Sequence, residues 1–109
     1  MSYFGAIAGD DYVNSAKGFR SCFLEFGEGA RLEAMTTTTL SPVSLEPGVQ
    51  RMGLTHLAMA VGSAARVNEL TERLRLQGFP VLDGPRTTGD GYYESVVLDP
   101  DGNRIEITA

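Results

Sequence analysis

Between Gly53 and Val61 the chain reads "GLTHLAMAV", an apolar-rich stretch with two-residue alternation that predicts a β-strand. Ser63 follows as a helix N-cap. Val67, Leu70 and Leu74 then recur at spacings of three and four, giving one apolar helical stripe that Gly78 terminates. Beyond it the pattern predicts a short strand at 79–82, a Gly/Pro/Thr loop "DGPRTTGDG", a strand at 92–98, the turn "DPDGN" and a last strand in "NRIEITA". Proline suits the turn position that needs φ of about −65°, and glycine the one that needs positive φ. The order is β-α-β-β-β.

The first third of the chain repeats only the later part of this order: a short strand near Tyr12 and Val13, a strand at 18–26, the turn "GEG" and a strand at 30–36. Sliding the sequence by 73 positions lays "GFRSCFLEFGEGARLEAM" on "GYYESVVLDPDGNRIEIT" without a gap. Gly18 then meets Gly91, Gly29 meets Gly102, Arg31 meets Arg104 and Glu33 meets Glu106, while Gly5 meets Gly78 and Asp10 meets Asp83. The matched glycines fall at turns, where the backbone itself selects them. A duplicated module is therefore expected, with 1–36 a partial first copy, 37–52 a linker carrying two prolines and 53–109 a complete βαβββ copy. By the same shift, the first copy's opening strand and almost all of its helix would precede Met1.

Composition narrows the function classes. A chain of 109 residues, 42% hydrophobic, is one domain with a core. A net charge of −5 without a basic run argues against nucleic acid. No apolar stretch approaches a membrane span, and "MSYFGAIAGDD" lacks signal-peptide character, so a cytoplasmic location is expected. Cys22 is the only cysteine, which excludes an internal disulfide; its alternation with Leu24 and Phe26 reads as core filler.

Candidate chemistry comes from the repeat. A glutamate between two isoleucines on a terminal strand is ordinarily a solvated acid, yet Glu33 and Glu106 hold the same position in both copies. His56, the only histidine, lies on the strand "LTHLAM", on one face with Leu54, Ala58 and Ala60. Such a histidine is usually a satisfied core residue. If the modules pair so that their sheets form a cup, His56, Glu33 and Glu106 converge inside it. One imidazole and two carboxylates suit a divalent metal such as Zn, Ni, Co, Mn or Fe, with positions open for water and substrate. The alternation puts one of Tyr92 and Tyr93 in the core and leaves open which; Arg86 falls in a loop, and Arg31 and Arg104 flank the two glutamates. The paired glycines of "GEGARLE" and "GDGYYE" complete no phosphate-binding pattern.

These residues resemble the vicinal oxygen chelate superfamily, which includes glyoxalase I, bleomycin and fosfomycin resistance proteins, extradiol dioxygenases and methylmalonyl-CoA epimerase. The resemblance covers nearly the whole chain and is carried by "FLEFGEGARLEAMT", "GLTHLAMAVGS" and, most specifically, "GPRTTGDGYYESVVLDPDGNRIEIT". It implies an α+β fold of paired βαβββ modules, the first incomplete at its N-terminus, whose curved mixed sheet forms a cup. It further implies Glu33, His56 and Glu106 as metal ligands, with Glu33 or Glu106 doubling as the catalytic base of a lactoylglutathione lyase-like lyase/isomerase. The substrate is then a small molecule with vicinal oxygens, such as the hemithioacetal of glutathione and methylglyoxal. A glutamate at position 33 resembles the isomerase branch rather than the dioxygenases, whose iron usually takes two histidines and one glutamate. The chain departs from the family in having no histidine to serve as the fourth ligand. That departure keeps two alternatives open: a metal-independent binding or resistance protein, and a truncated inactive homologue. The absent strand implies association into a homodimer or strand-exchanged oligomer.

Overall fold

The protein is described by a computed structural model covering residues 3–41 and 46–109. The expected linker at 37–52 thus falls partly outside the described residues. Strands β1 (Ile7–Ala8), β2 (Tyr12–Asn14), β3 (Phe19–Glu25) and β4 (Arg31–Thr37) come first. They are followed by β5 (His56–Ala60), helix α1 (Ala64–Leu76), β6 (Val81–Thr87), β7 (Tyr93–Leu98) and β8 (Arg104–Thr108). The fold is α+β, and the chain divides into two compact units, Met1–Ser44 and Leu45–Ala109.

In the second unit the sheet order is β5-β8-β7-β6. β5 runs parallel to β8, and the other pairs are antiparallel. The helix packs on one face because its apolar stripe demands burial: Val67, Leu70 and Leu74 are at most 4% exposed and meet a sheet that buries Val97 and Ile107. Two hydroxyls inside this layer form a chain: Thr71 Oγ1 donates to the Val67 carbonyl at 2.6 Å and lies 2.7 Å from Ser95 Oγ, from which it can accept. The helix starts where Ser63 Oγ accepts from the Arg66 amide at 3.2 Å, and the chain leaves it through Gly78 at φ +89°. Tyr93 belongs to this face, its hydroxyl donating to Asn68 Oδ1 at 2.6 Å, whereas Tyr92 is exposed.

The first unit is antiparallel throughout and has no α-helix among its described residues, only a 3-10 turn at Ser15–Lys17 that Asn14 caps. β3 lies between β4 on one side and β1 and β2, end to end, on the other. Its ladder repeats that of the second unit: Phe23 faces Glu33 as Val96 faces Glu106, and Cys22 faces Ala34 as Ser95 faces Ile107. The β3–β4 ladder thus has the same register as the β7–β8 ladder. Burial is not repeated, since Ser21 is the only buried residue described in the first unit and Cys22 is half-buried.

Two boundaries differ from expectation. The strand expected at 79–82 runs instead from Val81 to Thr87, taking in Arg86 and half of the expected loop. Its pairing with β7 slips between Val81 and Asp83 and again between Asp83 and Arg86, so Gly84-Pro85 forms a bulge on an edge strand, the place where proline is tolerated. Gly84 is required there, because at φ +72° a Cβ would lie 2.5 Å from the Glu94 carbonyl oxygen. The strand expected at 53–61 is trimmed to His56–Ala60, since β8 offers partners only from Arg104 to Thr108.

Candidate functional site

Opposite the helix, the second sheet presents a polar face whose composition follows from register. Paired residues point the same way. One row holds His56 and Arg104; the next holds Ala58, Glu106 and Val96; the next holds Ala60, Thr108, Glu94 and Arg86. Short side chains on β5 leave space beside the polar ones.

His56 and Glu106 meet across the β5–β8 boundary, with Nε2 3.4 Å from Oε1; Glu106 is 22% exposed and His56 38%. Thr55 Oγ1 lies 3.1 Å from the other ring nitrogen, Nδ1. The Thr55 hydroxyl can either accept from Nδ1–H, which frees the Nε2 lone pair for a cation, or donate to Nδ1, which leaves Nε2–H to donate to Glu106. Two donors bound to one tetrahedral cation at about 2.0–2.1 Å sit about 3.3 Å apart, so this nitrogen and oxygen fit adjacent positions around a metal. Among the described residues no three His, Cys, Asp or Glu side chains are grouped to hold a metal ion. Glu33 lies on β4 of the first unit, directly opposite Phe23.

The arginines singled out along the sequence are engaged with other partners. Arg104 Nη1 donates to the Gly48 carbonyl at 3.0 Å, tying residues 46–50 over the Leu98 end of this face. Gly48 in turn donates to Gly102 O. Arg31 stacks over the Phe23 ring at 4.4 Å and approaches Glu25. Arg86 grips Asp83 through Nε and Nη2, at 2.8–3.1 Å, and holds that carboxyl below its ordinary range.

Glu94 lies in the strand expected at 92–98, where alternation gives its face and not its neighbours. Burial raises its carboxyl above the ordinary range. Glu106 and Asp90 add to the effect, and Arg86 and His56 oppose it. Only the register of three strands places it beside the His56–Glu106 pair.

A profile of the Glyoxalase/Bleomycin resistance protein/Dioxygenase superfamily matches residues 2–107, so the chain belongs to that superfamily. The curated protein YqjT of Bacillus subtilis, itself uncharacterized, is 39% identical over 70 residues; the match takes in 60% of this chain and 55% of that protein. The chain thus spans about half the length of this relative. In fold it resembles the glyoxalase family protein of Enterococcus faecalis, with a TM-score of 0.74 and 22% identity over 99% of this chain and 81% of that one. It also resembles the trypanothione-dependent glyoxalase I of Leishmania major, with a TM-score of 0.70 and 20% identity over 98% of this chain and 70% of that one.

Proposed function

We propose that the chain is a metal-dependent glyoxalase-like lyase/isomerase, with Glu33, His56 and Glu106 as ligands and Glu106 or Glu33 as the proton-transferring base. The observation that carries this reading is the 3.4 Å approach of Nε2 to Oε1, with Nδ1 engaged by Thr55. A divalent cation, when bound, supplies positive charge against the negative charge that grows on vicinal substrate oxygens. His56 would hold it through Nε2, in the tautomer whose Nδ1–H donates to Thr55. Glu106 takes a proton from a substrate carbon and returns it to the neighbouring carbon. The glyoxalase I neighbours favour the hemithioacetal of a thiol and methylglyoxal as the substrate class. A donor from a second copy, or water, completes the ligand set in a cytoplasmic homodimer.

The test is metal content and native mass of the purified chain, followed by Co(II) titration of the unsubstituted protein and of His56→Ala and Glu106→Gln. Stoichiometric binding with tetrahedral d–d bands, weakened at least about tenfold by either substitution, is expected. A chain that takes up no Zn, Ni, Co, Mn or Fe sinks the proposal.

The second reading is a metal-independent small-molecule binding or resistance protein. It is favoured by the single histidine of the chain, which leaves one imidazole for any ligand set. Ligand binding that survives a chelator supports it, and metal-dependent binding counts against it.

A further inference from the structure

The polar face of the second sheet carries two carboxylates that the proposed metal site does not use: Asp83, which Arg86 holds, and Glu94. Glu106 pairs directly with Val96, and Glu94 lies two residues before Val96 on the same strand and face. On the other side Glu106 pairs with Ala58, and His56 lies two residues before Ala58. The three titratable groups therefore form a diagonal across three strands: His56 on β5, Glu106 on β8 and Glu94 on β7. Diagonal neighbours in a sheet stand about 7–8 Å apart. From that backbone spacing, two side chains of equal length on one face can each reach one of two adjacent substrate atoms.

Resting on the function proposed above, we propose that Glu94 is a second proton carrier of this site, working opposite Glu106 on a substrate that spans β8 and β7. Glu106 takes the proton from the carbon next to a carbonyl, and the C–H electrons become the second bond of a carbon–carbon double bond. Glu94 gives its proton to the carbonyl oxygen, which keeps the displaced π electrons. Return on the neighbouring carbon reverses both transfers: Glu106 delivers its proton to carbon, and Glu94 recovers one from the other hydroxyl. Atoms and electrons balance, and no oxidant is needed.

A purely structural role as Arg86's partner fits less well, because Arg86 already spends Nε and Nη2 on Asp83. The charged groups facing Glu94 are Glu106 and His56 from β8 and β5, Arg86 and Asp83 from β6, and Asp90 from the preceding turn. Burial and the two acids favour the proton-bearing form that a donor needs, and Arg86 and His56 temper them.

The experiment compares the unsubstituted chain with Glu94→Gln, Glu94→Asp and Glu106→Gln. Carboxyl carbon NMR of the metal-free protein gives the titration of Glu94 without any activity. Co(II) titration gives metal affinity, and turnover of the methylglyoxal hemithioacetal between pH 5 and 9 gives catalysis. Expected are a Glu94 titration that moves down in Glu106→Gln and Co(II) affinity unchanged in Glu94→Gln. Turnover should fall about 100-fold or more in Glu94→Gln with loss of the high-pH limb, and recover partly in Glu94→Asp. A Glu94 titration indifferent to Glu106→Gln, or turnover and pH profile unaltered in Glu94→Gln, overturns the inference. Lack of turnover by the unsubstituted chain sinks the proposed function, whereas turnover that Glu94→Gln leaves unaltered sinks this inference alone, so the two failures are told apart.

Discussion

Glu94 is held at a cost in stability that its environment makes explicit. Its carboxyl takes a proton more readily in the folded chain than in the unfolded one, so its contribution is fully present below the ordinary glutamate range and is lost as pH rises through the raised folded value. Glu94→Gln should therefore raise the thermal midpoint at pH 7, and the difference should vanish near pH 4. A midpoint at pH 7 that is unchanged or lower in the variant contradicts this electrostatic account. Gly84 is the second residue that matters singly. Alanine there meets both a left-handed backbone and the Glu94 carbonyl, so a loss of at least about 2 kcal/mol in denaturant unfolding is expected. Neither position was legible along the chain. Glu94 sits in an unremarkable strand, and Gly84-Pro85 carries the dipeptide signal of a loop, which the edge of a sheet absorbed as a bulge.

At the scale of elements, α1 followed directly from its sequence. A cap at Ser63, an apolar stripe at Val67, Leu70 and Leu74, and a terminating Gly78 all agree, and local agreement of this kind is what makes a helix readable. Removing the cap with Ser63→Ala should cost about 1 kcal/mol in chemical denaturation. The helix also owes stability to a feature that periodicity does not reveal, the Thr71–Ser95 hydroxyl contact, which joins residues far apart in sequence. Thr71→Val strands the Ser95 hydroxyl and should cost about 1–3 kcal/mol, with part restored by adding Ser95→Ala. Additive losses in the double variant would show that the two hydroxyls are not coupled. Strand ends were less readable because they depend on a partner: β5 stops where β8 stops, whatever its own apolar run suggests.

For the molecule as a whole, each unit has its own sheet, and the two differ in what they bury. The described buried apolar residues, Val67, Leu70, Leu74, Val96, Val97, Leu98 and Ile107, all belong to Leu45–Ala109. On the first sheet Tyr12, Val13, Phe23, Leu32 and Met35 remain exposed. Amide exchange should accordingly be slowest in α1, β7 and β8 and markedly faster in β3 and β4. Equal protection in both sheets would mean that something covers the first sheet in solution. By itself the sequence determined the duplicated pattern, the α+β class, the helix and the shared strand position of Glu33 and Glu106, because each is written in local periodicity or in self-similarity. Tertiary structure decided which of those side chains meet. The 3.4 Å approach of His56 to Glu106, the committed arginines and the place of Glu94 on the same diagonal all follow from parallel pairing of β5 with β8 and antiparallel pairing of β8 with β7. Register between strands distant in sequence is a property of the packed sheet, and no local pattern encodes it.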